Sequence, residues 1–166
     1  MKRRDFLAAG ILGGTATLLS PEDFLVQKKF EKKHLILIEA VQGHMFPGGN
    51  TLPGAGDFRA TRFLEETVMH ATYDKDIRSL VIRGAEKLEQ REKGGFLKYD
   101  EQKKETALRA FEQTTLGSNW LNRIMILSLE ALLSDPIYGG NFQMLGWKAL
   151  QTKGGEPRPA TRYIEL

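Results

Sequence analysis

The chain has no cysteine among its 166 residues. That excludes disulfides, thiolate-held clusters and covalently attached c-type haem, so packing alone must stabilise the fold. Histidine is nearly as scarce, with three residues: His34, His44 and His70. None forms the i, i+4 pair of a helical zinc site, and no metal ligand set can be assembled from their spacing. His44-Met45 combines two residue types that ligate haem, but adjacent residues cannot take opposite axial positions on one iron. No Gly-x-Ser-x-Gly elbow occurs, and Ser118 and Ser134 read as helix-terminal residues. Gly54-Ala55-Gly56-Asp57 lacks the third glycine and the preceding strand of a dinucleotide loop, and reads as a flexible loop running into an Asp cap. Catalytic, metal-binding and cofactor-binding residues are therefore expected to be absent from this chain.

Charge of one sign is also lacking. The net charge is only +3, and lysines sit among acids, as in Glu86-Lys87-Leu88-Glu89-Gln90-Arg91-Glu92-Lys93. Such mixed runs mark solvated helix faces, so nucleic acid is not an expected partner. At 41% hydrophobic and 27% charged, the composition is that of an ordinary globular protein.

What is present starts at the N-terminus. Lys2-Arg3-Arg4-Asp5-Phe6-Leu7 leads into an uncharged run from Phe6 to Leu19. A basic tip on a short apolar stretch is a targeting segment, and adjacent arginines mark the twin-arginine export route. As a helix, about 14 residues span ~21 Å, short of the ~30 Å hydrocarbon core, so a membrane-spanning helix is not expected. Residues 1–20 are assigned as the signal, with Arg3, Arg4, Phe6 and Leu7 as its recognition elements for the twin-arginine translocase. Thr15-Ala16-Thr17-Leu18-Leu19-Ser20 offers no clear Ala-x-Ala cleavage site. This route carries proteins already folded, a need that arises mainly when a cofactor is inserted before crossing. A chain with no cofactor motif either uses the route for itself or takes a cofactor-loaded partner with it.

Residues 21–166 suffice for one domain with a sizeable core. Ser20-Pro21-Glu22-Asp23 reads as a helix start, with the helix running to about Val41. Leu35-Ile36-Leu37-Ile38 fits a strand equally by periodicity, but helix is favoured for want of β-branched flanks and a partner strand. Gly43 to Gly56, with Pro47 and Pro53, is expected to be a long loop. Asp57 is expected to cap a second helix carrying Phe58, Phe63, Leu64, Val68 and Ala71. Asp74 opens a third helix, closed by Gly94-Gly95 with Phe96 packed back on its last turn. Asp100 starts a fourth, with Ala107, Leu108 and Phe111 inward. Ser118 starts a fifth, where Trp120, Leu121, Ile124, Met125, Leu127, Leu129, Leu132 and Leu133 leave little polar face. Such a helix belongs at the centre of a bundle. Asp135-Pro136 ends it. Phe142 to Gln151 is expected to form one short helix, and Gly154 to Pro159 to be irregular. The fold class is all-α: a small single-domain bundle of about five to six helices with an irregular C-terminal segment.

Asp135-Pro136-Ile137-Tyr138-Gly139-Gly140-Asn141, followed by Gly146-Trp147-Lys148, is the remaining constellation. A helix stop and a glycine turn explain Asp135, Pro136 and the glycines, but not the aromatics and the Asn. Tyr and Trp suit interfaces because they bury large area while keeping a polar handle. Asp135, Tyr138, Gly139, Gly140, Asn141 and Trp147 are the expected partner-binding residues. The competing view makes Trp147 a core residue.

At these motifs the chain resembles the gluconate 2-dehydrogenase subunit 3 family, the small subunits of membrane-associated sugar and sugar-acid dehydrogenases. The Arg3 to Leu7 signal, the Asp135 to Asn141 and Gly146 to Lys148 motifs, the Gly-Gly-x-Pro-Arg-Pro tail and the Pro/Gly loop carry the resemblance. It implies a non-catalytic small subunit partnering a large flavoprotein of the glucose-methanol-choline oxidoreductase type. A membrane-bound multihaem cytochrome c often joins that complex. FAD, and any iron–sulfur cluster or haem c, would belong to the partners. The resemblance also implies that this subunit's signal exports the flavoprotein, placing both in the periplasm and at the membrane through the complex. The residues alone equally allow an autonomous periplasmic binding or structural protein with no dehydrogenase partner.

Overall fold

The computed structural model describes residues 30–162, which hold six α-helices and no β-strand. The 1–20 segment, with Arg3, Arg4, Phe6 and Leu7, and the helix start at Ser20-Pro21 lie outside the described residues. Helix α1 spans Lys32–Met45, α2 Ala60–Val68, α3 Lys75–Arg91, α4 Glu101–Glu112, α5 Thr115–Leu133 and α6 Leu145–Ala149.

α1 is a helix where a strand was the alternative. Its buried residues Leu37, Ile38 and Val41 fall at helical spacing on one face, while Ile36 points outward. The helix runs on past Val41 to Met45, so Gly43 lies inside it and the loop begins at Phe46. In that loop Phe46 meets Phe58 edge to face at 5.8 Å, which fixes its two ends to each other.

Asp57 does not cap the second helix. Its Oδ2 accepts from Gly54 N at 2.9 Å and closes the loop on itself, so α2 begins three residues later at Ala60. α2 buries Ala60, Phe63, Leu64 and Val68; Ala71 falls beyond it and is exposed. Asp74 does cap α3, accepting from Asp76 N and Ile77 N at 2.8 and 3.0 Å. That helix stops at Arg91, Gly94 takes the left-handed conformation after it (φ +71°), and Phe96 packs inward at 1% exposure. Asp100 caps α4 through Lys103 N, with Ala107, Leu108 and Phe111 buried as expected.

α5 starts three residues before Ser118. Thr114 is its cap, its Oγ1 accepting from Gly117 N at 2.9 Å, a bond any Thr or Ser just before a helix can make. α5 is the axis of the fold: it packs against each of the other five helices. Trp120 is fully buried and donates from Nε1 to Val81 O at 2.9 Å. Gly84 of α3 lies flat against the Trp120 indole, where a Cβ would overlap the ring. This close approach lets α3 and α5 cross, and any larger residue at 84 would push them apart. Leu129 and Leu133 depart from the expected central burial: they are 40% and 47% exposed.

The segment from Phe142 to Gln151 is two pieces instead of one helix. A single 3-10 turn, Phe142–Met144, is separated from α6 because Gln143 and Met144 hold positive φ (54° and 59°). Residues 152–162 carry no regular structure, as expected for Gly154 to Pro159.

Candidate partner-docking surface

A helix ends with carbonyls that have no partner of their own. At the C-terminal end of α5 the following segment supplies the partners. Trp147 Nε1 donates to Leu133 O at 2.7 Å and Asn141 Nδ2 donates to Ser134 O at 2.9 Å. Gly146 N donates to Asn141 Oδ1 at 2.8 Å, so one side chain ties the helix end to the start of α6. Gly140 and Gly146 press against the backbone of Ala131 and Leu132, leaving no room for a Cβ at either. Gly139 turns the chain with φ +95°. Asp135 accepts from Ile137 N at 3.0 Å and receives the Arg158 guanidinium at 2.7 and 3.0 Å. The Arg158 hydrogen bonds hold the Asp135 carboxyl below its ordinary range despite some burial, with help from the Ile137 amide. Arg158 also lies 5.3 Å from the Trp147 ring centre, and Gly154 packs on that ring. Arg162 donates to Tyr138 O at 3.0 Å and pairs with Glu66. The C-terminal tail is thereby strapped over a lock that closes α5.

This placement divides the six expected partner-binding residues. Asn141 and Trp147 are 0% and 7% exposed, and their polar atoms are used inside the chain. Both are fastened into the fold and not displayed, so the expectation of an irregular scaffold presenting Trp147 gives way to the core view. Asp135 is turned toward Arg158, while Gly139 and Gly140 serve the turn. Tyr138, half-buried, is the one of the six that lines an apolar groove.

That groove is shallow, about 590 Å³, and runs between α2 and α5, lined by Phe63, Thr67, Ile126, Leu129, Leu133 and Tyr138. Ser134 and Glu130 complete its rim. Burial among these apolar neighbours pushes the Glu130 carboxyl up, and Arg123 only partly offsets it. Glu130 faces Tyr73 as well, whose hydroxyl is pushed up by burial and by that carboxylate. No hydrogen bond or ion pair engages the Glu130 carboxylate among the described residues.

A second groove, about 610 Å³, lies between α1, α4 and the first half of α5, and is polar. His44 sits in its wall with Nδ1 2.7 Å from Glu101 and Nε2 2.7 Å from Glu105. Ionised carboxylates only accept, so with both ionised the two ring nitrogens would each donate, an arrangement that favours the imidazolium. Burial opposes that charge, but the Glu105 and Glu101 hydrogen bonds outweigh it and hold His44 above its ordinary range. Both ring nitrogens are taken up by these two contacts. His34, 2% exposed, bonds Glu89 at 3.0 Å, and His70 bonds Thr72 at 2.8 Å. Among the described residues no group of three or more His, Asp or Glu could hold a metal ion, and no helix is long and apolar enough to cross a membrane.

Two buried polar residues escaped the reading of the sequence. Gln42 joins three helices, donating to Ser128 Oγ at 3.0 Å and accepting from Thr61 Oγ1 at 2.7 Å. Arg78, 3% exposed, donates to Val68 O and His70 O at 2.7 and 2.6 Å and so closes the end of α2. Neither carries a sequence signal, because both lie on otherwise ordinary amphipathic helices. The groove did leave one: Leu129 and Leu133, four apart, are more leucine than an inward face needs.

Five helices about a central one, a strapped C-terminal lock and an apolar groove left open among the described residues define a small all-α domain built around one long helix. The chain belongs to the gluconate 2-dehydrogenase subunit 3 family, whose model matches residues 32–155. The family's name makes it a subunit of a gluconate 2-dehydrogenase complex, associated with other subunits of that complex. No curated protein and no solved structure matches the chain.

Proposed function

We propose that this chain is the non-catalytic small subunit of a periplasmic, membrane-associated FAD-dependent gluconate or sugar dehydrogenase. Its work is to carry a flavoprotein of the glucose-methanol-choline type through twin-arginine export and to stabilise it. The observation that carries this reading is membership of a family of dehydrogenase subunits, matched over nearly the whole described domain. The Arg3-Arg4-Asp5-Phe6-Leu7 start supports the export role, and the apolar groove supports a docking role. FAD, which would take up the two electrons of the alcohol oxidation, resides in the flavoprotein, and a multihaem cytochrome c would pass them on where it is present.

The test is export. Arg3→Lys with Arg4→Lys should abolish dehydrogenase activity in the periplasm and leave both polypeptides in the cytoplasm. Undiminished periplasmic activity in the double variant would overturn the escort role.

A further inference from the structure

We propose that the α2–α5 groove seats an apolar segment of the flavoprotein subunit carrying one Lys or Arg set against Glu130. This rests on the escort reading above and names its docking site. Leu129 and Leu133, one turn apart on α5, give the groove an exposed apolar floor, continued by Ile126 and Tyr138 and walled by Phe63 and Thr67. Apolar side chains gathered on one helix face beside a tyrosine and rimmed by polar groups suit a protein contact.

Charge selects the occupant. The Glu130 carboxylate stands at the apolar rim with no hydrogen-bonded or ion-paired partner among the described residues, and Arg123 and Tyr73 are the groups that face it. An anionic lipid surface would meet that carboxylate as a like charge. A second copy docked by a two-fold axis through the groove would bring Glu130 close to Glu130. An apolar segment bearing a cation satisfies both the floor and the rim. The chain's own Lys2 to Leu19 segment has the same chemistry, but a translocase signal must stay accessible while the folded complex waits for export.

The experiment uses the full-length chain, tagged at its C-terminus and expressed in its native host with a photo-crosslinking benzoylphenylalanine at Leu133. A second protein carries the same group at the exposed Gln113, away from the groove. We expect the purified complex to show flavin absorbance, and the Leu133 crosslink to map to a flavoprotein peptide containing Lys or Arg, with none from Gln113. Leu129→Asp with Leu133→Asp should cut flavoprotein retention about tenfold or more, the scale of losing a buried apolar contact at an interface centre. Glu130→Lys should lose more than Glu130→Gln, and all three variants should keep the wild-type melting temperature when purified alone. A flavin-bearing complex whose Leu133 crosslinks fall on residues 1–29, on a second copy or on lipid overturns the docking site and leaves the escort role standing. So does equal retention by the double Asp variant. A wild-type chain that purifies with no flavoprotein overturns both.

Discussion

Leu132 and Leu133 are consecutive residues at the end of α5, yet one is 3% exposed and the other 47%. Leu132 belongs to the lock, with Gly146 pressed on its backbone; the Leu133 side chain lines the groove, although its carbonyl is held by Trp147. In the lock the Trp147 indole and both ends of the Asn141 amide meet partners within the chain, and the tail straps it shut. The groove, about one residue away, is left open among the described residues, with an apolar floor and a carboxylate at its rim. Aromatic and Asn side chains near a chain end look alike in a sequence whether they close a helix or dock a partner. What separates them is whether their hydrogen bonds are already used.

The comparison can be broken most forcefully at Trp147. If the lock is structural, Trp147→Ala should destabilise the domain by roughly 3–5 kcal/mol, from lost burial and a carbonyl left without its donor. A melt unchanged from wild type would return Trp147 to the surface. Asn141→Ala removes the side chain that serves Ser134 O at the end of α5 and Gly146 N at the start of α6. It should cost about 2 kcal/mol or more, read by denaturant unfolding. Asn141→Asp should recover only the Gly146 bond, since a carboxylate cannot donate to Ser134 O.

A smaller effect is expected from His44, on the polar side of the bundle. Its folded pKa lies above its ordinary value, so its stabilisation is full below about pH 6.5 and fades as pH rises through the raised pKa. Glu105 and Glu101 shift the other way, chiefly through His44 and Arg109 for the first and Lys104 and His44 for the second. Their share is lost only as pH falls through the carboxylate range. Melting temperatures from pH 5 to 9 should therefore decline on the alkaline side in the wild type and flatten there in His44→Gln. The smallest effect on stability belongs to Leu133→Asp, within about 0.5 kcal/mol, because the side chain is already half in water. A large loss there would mean that the groove is core after all.

Much of the fold was legible. Asp74 and Asp100 have the acceptor that a helix start needs, and both cap; the apolar excess of α5 correctly made it the axis. Asp57 looked the same in sequence but spends its carboxylate on Gly54, and nothing local distinguishes a cap from a loop closure. Ser118 was expected to start α5, but Thr114 caps it, four residues earlier, where Gly117 packs against Phe111. The proposed docking groove was half legible: Tyr138 stood among the expected partner-binding residues, and the leucines beside it were counted as core. Their exposure depends on how far α2 reaches along α5, which no window of sequence contains.

Gln42 has a consequence for how the helices find their places. Leucines on facing helices tolerate small slides, since one apolar contact is much like the next. An amide that must meet Ser128 on α5 and Thr61 on α2 at once tolerates none. It works as an alignment pin: a shift of one turn on any of the three helices would strand a fully buried amide in an apolar interior. Replacing Gln42, Ser128 and Thr61 together with apolar residues of matching size could leave the domain as stable as before while freeing it to settle in more than one register. The groove and the lock both depend on where α2 and α5 stand along each other, so their geometry is set in part by a glutamine that lines neither.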